Sequence, residues 1–214
     1  MGLSQDLLDA HASSWKALTE HDFFQSVERG LLTEASRNAY FQYERAFVDQ
    51  AVVVFSYLLL GAPDLQARRK IISVLSALVH EQVDLFDDIF LRCGIDAEDH
   101  QTGRLPAPVE ALCDGMTDIA QSEQYAAGLA AVFVAERSYL EVSQRICNAN
   151  IGDQELYKWF QLHTQNGFSA SVQAIAQEID NFGERGLSLD QISSAFGRAI
   201  DLEIDFHSAP LNMP

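Results

Sequence analysis

Lysine is scarce in this chain. Only Lys16, Lys70 and Lys158 occur, and 14 Lys+Arg against 31 Asp+Glu leave a formal charge of −17. A surface that tracks phosphates needs clustered basic residues, so nucleic acid and anionic membranes are excluded as partners. Cysteine is sparse too. Cys93, Cys113 and Cys147 are odd in number and widely spaced, without a C-x-x-C, which is expected of a cytoplasmic protein with reduced thiols. No apolar run approaches the roughly 20 residues a bilayer demands; the longest, Ala51 to Ala62, is interrupted by Ser56. The first residues lack a basic stretch followed by an apolar one, so no secretory signal is expected. P-loop, G-x-G-x-x-G, H-E-x-x-H and G-x-S-x-G motifs are all missing.

What is present is helix. The 214 residues are 48% apolar, enough for one domain with a sizeable core. Period-two alternation is almost absent, and long 3.6-period segments are separated by Gly, Pro and Asn. One helix is predicted from Ser4, as N-cap, towards Thr19, and a short one from Asp22 to Arg29 that stops at Gly30. Thr33 caps a long helix through Leu60, and another extends from Asp64 to Cys93, halting at Gly94. Ile95 to Pro108 is a polar loop. Helices follow at about Pro108–Ser122, Glu123–Cys147, Asp153–Thr164, Gly167–Phe182 and Ser188–His207, with 208–214 as a tail. No linker divides the chain, so residues 1–214 are expected to form a single all-α bundle.

In such a bundle the informative positions are ionisable groups on core-facing stripes. One stripe runs Tyr40, Glu44, Phe47, Ala51, Phe55, Leu58, with Glu44 its only charge. Another carries Leu129, Val132, Phe133, Glu136, Leu140 and Ser143, with Tyr139 beside Glu136. The last helix gives Leu189, Ile192, Phe196, Ile200, Glu203, Phe206. His163 follows Leu156 and Phe160 on the stripe of its short helix. Three glutamates and a histidine thus point inward from four helices. Ionised carboxylates are costly to bury alone, so these groups either meet partners or stay protonated. If they converge, they line one polar pocket suited to proton transfer. Alternatively, each snorkels at a helix edge or pairs with an arginine such as Arg45 or Arg137.

A non-haem iron site is a weaker alternative, with Glu81, Asp88, Glu136 and His163 as the carboxylate-plus-His set. No helix carries a Glu-x-x-His pair, and no second core histidine is expected beside His163. Cys113 and Cys147 lie near helix ends without an activating motif and read as structural thiols.

The segments His21-Asp-Phe-Phe-Gln25, Gly30-Leu-Leu32, Tyr40-Phe-Gln-Tyr-Glu44, Ala62-Pro-Asp64, Trp159-Phe-Gln-Leu-His163 and Glu203-Ile-Asp-Phe206 together resemble the TenA/thiaminase II proteins of the haem-oxygenase-like superfamily, which also includes PqqC. The resemblance implies seven or eight helices around one central pocket, assembled as a homodimer or homotetramer, and an aminopyrimidine-type ligand of thiamin salvage. It places Glu44 at a pyrimidine-binding aspartate, Glu203 at a catalytic glutamate and Tyr139 at a pocket tyrosine. Phe47, Leu112 and His163 stand where the family has tyrosines. The nucleophilic cysteine of one branch aligns with Ala135, so the chain looks more like the glutamate-type branch. The superfamily's iron oxidases would need further ligands where Gly167 and Ala170 stand.

Three functions follow as expectations. The first is hydrolysis of a C–N bond on a small aminopyrimidine without a cofactor, with Glu203 and Glu136 as acid and base. Glu44, Phe47, Tyr139 and His163 would bind the ring. The second is ligand binding without chemistry. The third is an iron-dependent oxidase built on the carboxylate-plus-His set.

Overall fold

The computed structural model describes residues 2–96, 105–122, 125–183 and 189–212. Its α-helices are α1 (Leu3–Ala10), α2 (Ala12–Thr19), α3 (Asp22–Arg29), α4 (Glu34–Gly61), α5 (Leu65–Ala77), α6 (Val83–Cys93), α7 (Ala107–Ser122), α8 (Tyr125–Asn148), α9 (Gln154–Leu162), α10 (Asn166–Gly183) and α11 (Leu189–Ser208). A π-turn, Leu78–Gln82, joins α5 to α6, and a 3₁₀ turn, Ala209–Asn212, follows α11. Among the described residues these helices make a single all-α domain. No strand occurs among the described residues.

The helix boundaries follow local chemistry. The Thr33 hydroxyl accepts the Ser36 N–H at 3.1 Å, Asp64 accepts Ala67 N–H at 2.9 Å, and Asp153 accepts Glu155 and Leu156 N–H at 3.0 Å. Each satisfies an otherwise orphaned donor and contributes about 1 kcal/mol. Gly30 and Gly94 end their helices at φ of 64° and 66°, a left-handed turn that a side chain would strain. Most of the expected 95–108 loop lies outside the described residues, as do 123–124 and Ser188.

Three boundaries differ from expectation. The first helix begins after Gly2, and the Ser4 N–H is taken by the Asp180 carboxylate of α10 at 2.8 Å. It also breaks at His11, whose ring docks on α11: Nε2 lies 2.9 Å from Ser193 Oγ and the ring packs 5.3 Å from Phe196. The expected 64–93 helix carries the π-turn in its middle. Nor is the expected tail loose as far as Asn212, where the described residues end. Ala209 and Pro210 are buried, and their turn packs on α4.

The core centres on α8, which packs most extensively on α11 and also on α7, α9 and α10. Its small residues Ala126, Ala127, Gly128, Ala130 and Ala131 permit this crowding: a Cβ on Gly128 would lie 2.8 Å from Leu58 Cδ2 and 3.4 Å from Ala120 Cα. Phe23 and Phe24 of α3 are fully buried, each contributing about 2–3 kcal/mol. Their rings pack against Tyr40, Tyr139 and His207, among the groups described next.

Candidate functional site

Between α4, α8, α9 and the π-turn lies a cavity of about 50 Å³, lined by residues that include Glu44, Phe47, Ala135, Glu136, Tyr139 and His163. It has room for about four waters, the scale of one small ring. Most of its wall is apolar: Val54, Phe55, Leu78, Met116, Val132, Trp159 and Phe168 take part. A second space of about 220 Å³ shares Leu78, Gln82, Glu136 and Phe168 with it, and adds Glu81, Gln165 and several serines. The chamber therefore adjoins a polar vestibule, and Glu136 belongs to the wall of both.

The π-turn forms part of the wall between the two spaces. It carries Leu78 and Gln82 onto the shared wall and Glu81 into the vestibule. Such turns inside helices recur at functional sites.

Glu44 is buried and hydrogen-bonded. The Tyr139 hydroxyl is in very short contact with its Oε1, Tyr40 Oη lies 3.1 Å from Tyr139 Oη, and the Trp159 indole N–H donates to Tyr40 at 2.9 Å. Burial raises the Glu44 carboxyl to about 8 although these hydroxyls pull it down. Burial likewise raises Glu136 to about 7. Among the described residues no group hydrogen-bonds or ion-pairs with the Glu136 carboxylate, which keeps some contact with solvent. His163 donates from Nδ1 to the Trp159 carbonyl at 2.9 Å. Burial lowers it to about 4, so it is a neutral imidazole with an unprotonated Nε2.

Glu203 is placed differently from expectation. It is 1% exposed and does not line the chamber. Its Oε1 has no hydrogen-bond partner, and burial, then the charges of Glu44 and Glu136, raise it to about 8. It thus stands behind the wall but within the same electrostatic cluster.

Three of the four expected inward-facing groups, Glu44, Glu136 and His163, therefore meet at one chamber wall with Tyr139 beside them, and the arginine-pairing alternative is overturned. Arg45 pairs with Asp49 and Arg137 with Glu141 at 3.7 Å. The set drawn for iron does not assemble. Asp88 pairs with Arg92 at 2.9 Å and lines neither space, and among the described residues no three His, Cys, Asp or Glu side chains converge as ligands. Leu112 is buried away from the chamber. The thiols stay protonated: burial pushes Cys113 up to about 12 and raises Cys93 and Cys147 as well.

The expectation of a single core histidine is also corrected. His207, 0% exposed, reaches Tyr139 Oη with Nε2 at 3.2 Å. Its position was legible, because 207 falls four residues after Glu203 on the same stripe. Tyr40 stood on a recognised stripe, but its link to Trp159 joins residues 119 positions apart, which helical spacing cannot reveal.

Residues 8–212 match the TENA/THI-4/PQQC family. The chain belongs to that family. Among TENA/THI-4/PQQC relatives, an aminopyrimidine aminohydrolase of Halalkalibacterium halodurans is 23% identical over 190 residues, 88% of this chain and 84% of the relative. A TenA homologue from P. horikoshii superposes with a TM-score of 0.89 at 17% identity, covering 98% of each chain. A domain with a heme oxygenase-like fold from Shewanella denitrificans reaches 0.74 at 14% identity, covering 97% of this chain and 91% of its own. The haem-oxygenase-like fold expected from sequence is thus present. No helix among the described residues is long and apolar enough to cross a membrane.

Proposed function

We propose that the chain hydrolyses a C–N bond on a small aminopyrimidine, as a thiamin-salvage hydrolase of the glutamate-type branch. The observation that carries this reading is the meeting of Glu44, Glu136, Tyr139 and His163 at one ring-sized chamber. Membership of the TENA/THI-4/PQQC family and the aminohydrolase relative support it.

In this reading Glu44 accepts hydrogen bonds from the ring amine, while Phe47 and Tyr139 pack on the ring. The His163 Nε2 accepts from a second ligand N–H or O–H. Water enters from the vestibule and meets Glu136, the less basic carboxyl and the one in contact with solvent. Glu136 removes the water's proton as oxygen bonds to carbon. The C–N bond breaks with its electron pair on nitrogen, and the protonated Glu203, which lies behind the wall, supplies that nitrogen's proton only after ligand binding turns its carboxyl into the chamber. No cofactor is required, and Ala135 leaves no cysteine nucleophile there. A homodimer or homotetramer is the expected assembly, read by light scattering.

The test is turnover of an aminomethylpyrimidine and its formyl derivative by purified protein. Loss of turnover in Glu136→Gln and Glu203→Gln with retained binding supports the reading; undiminished turnover in Glu203→Gln sinks it. One observation favours a second reading, binding without chemistry: Glu203 lies behind the chamber wall. Calorimetry that finds tight pyrimidine binding while no product forms would select it.

A further inference from the structure

The His207 imidazole is enclosed by aromatic rings, with Phe24 at 4.4 Å, Phe206 at 5.1 Å and Phe23 at 5.7 Å between centroids. Its two nitrogens have unlike neighbours. Nδ1 lies 2.7 Å from the Glu203 backbone carbonyl, an oxygen that only accepts, so Nδ1 carries the proton. Nε2 then presents a bare lone pair, 3.2 Å from Tyr139 Oη.

Tyr139 has one proton and three neighbours that could take it: Nε2, Glu44 and Tyr40 Oη at 3.1 Å. Tyr40 already accepts the Trp159 N–H and has its own proton to give, which leaves Nε2 and Glu44 as the two acceptors to decide between. Given to Nε2, that proton leaves the Tyr139 oxygen as an acceptor, and since two acceptors cannot share a hydrogen bond, its pairing with Glu44 Oε1 makes the carboxyl the donor. Every buried group in this line is then satisfied: Glu44 O–H to Tyr139, Tyr139 O–H to His207, His207 N–H to the Glu203 carbonyl. Given to a Glu44 carboxylate instead, it strands a buried Nε2 and buries a negative charge, two penalties at once.

We infer that His207 is a positioning residue that, by taking the Tyr139 proton, holds Glu44 as a neutral acid whose free oxygen accepts from a ligand amine. This rests on the role given to Glu44 under the proposed function. It adds a preference for a neutral aryl amine over a ring-protonated one, which pairs best with a carboxylate. The titratable groups around the line are Tyr40 on α4, Glu136 on α8, His163 after α9, His21 at the start of α3 and Glu203 on α11. Burial keeps His207 down, to about 3. His21 does not compete for Nε2: its Nδ1 accepts the Phe23 N–H and its Nε2 donates to Ser208.

The test is pH-difference infrared spectroscopy of the carboxylic-acid C=O stretch, assigned by its loss in Glu44→Gln. In His207→Leu the Tyr139 proton is freed for the carboxylate, and the Glu44 midpoint should fall by at least one pH unit. His207→Gln restores an acceptor near Nε2 and should hold the midpoint within half a unit of the wild type. Should His207→Leu not fold, His207→Asn retains a donor for the Glu203 carbonyl but lacks the distal acceptor, and it should lower the midpoint in the same way. An unchanged midpoint overturns the inference. So does a rise, which would mean a charged imidazolium donating to Tyr139. This readout needs no ligand, so failure of hydrolysis leaves it standing, and its failure leaves the proposed reaction to be judged on turnover.

Discussion

Glu203 and His207 sit one helical turn apart and fully buried, yet they are not a simple ion pair. The imidazole Nδ1 is 2.7 Å from the Glu203 carbonyl and 3.7 Å from its carboxyl Oε2, while Oε1 has no partner. The carboxyl is therefore held protonated by its surroundings, and at alkaline pH the fold bears that cost. Glu203→Gln should reverse sign with pH. Holding a carboxyl near 8 rather than 4.5 costs roughly 4–5 kcal/mol once the pH exceeds both values. An unsatisfied amide costs about 1–3 kcal/mol at any pH. The variant should be more stable than the wild type at pH 8.5 and less stable at pH 5, as urea denaturation at the two pH values will read.

The whole cluster imposes a pH trend on the fold. Glu44, Glu203 and Glu136 are raised to about 8, 8 and 7, and His163 and His207 are lowered to about 4 and 3. Above about 4.5 the unfolded chain releases carboxyl protons that the native state retains, so stability falls with rising pH until about 8. The histidines act oppositely: below 6.5 the unfolded chain binds protons the native state refuses, so their contribution rises with pH from about 3 to 6.5. Up to three carboxyls outweigh two histidines, so the fall is shallow between pH 5 and 6.5 and steeper above. Each net proton is worth about 1.4 kcal/mol per pH unit. Calorimetry should find the highest Tm near pH 5; a Tm that climbs from pH 6 to 8 contradicts the assignment.

Tyr40 ties two helices through one hydroxyl, taking the Trp159 N–H and meeting Tyr139. Tyr40→Phe keeps the ring but strands a buried indole N–H, so the loss should be about 1–3 kcal/mol. Trp159 fluorescence should shift in the native state as its hydrogen bond disappears, which a loss of ring packing alone would not require.

How much of this was legible in sequence depends on how far apart the partners lie. Caps at Thr33, Asp64 and Asp153 act within four residues, so those helix starts could be read directly. Glu44, Glu136 and Tyr139 broke or flanked apolar stripes, so their inward facing was readable, although periodicity could not show that they share a wall. Glu203 was rightly read as buried, but stripe position does not distinguish a chamber wall from the layer behind it. The break at His11 and the π-turn at Leu78–Gln82 carry no Gly or Pro. The first is set by docking on α11, and the second replaces i−4 bonds with i−5 bonds without any change of composition.

The close crossing at Gly128 should tolerate no side chain. In Gly128→Ala the new methyl meets Leu58 at 2.8 Å and the Ala120 backbone at 3.4 Å. Leu58 can give way only into a packed core, so the overpacking should outweigh alanine's helix preference of about 1 kcal/mol. A net loss of about 1–2 kcal/mol in urea denaturation is expected, against a gain if the crossing is loose.

The vestibule should discriminate by charge. Its ionisable lining consists of Glu81 and Glu136, and among the described residues no Lys, Arg or His joins them. The start of α10 contributes Gly167 and Phe168, whose helix terminus supplies a fractional positive charge of about 0.5. One full carboxylate already exceeds that. Glu81 is exposed, so water and salt screen its repulsion, and Glu136, raised to about 7, adds its full charge only above neutral pH. A hydroxymethyl-aminopyrimidine should therefore bind at least tenfold more tightly than its phosphate ester. Glu81→Gln should narrow the gap about threefold and flatten its salt dependence, whereas Asp88→Asn, outside the vestibule, should leave it unchanged. Calorimetry at two salt concentrations reads all four quantities; equal affinity for alcohol and ester would remove the vestibule from the ligand's path.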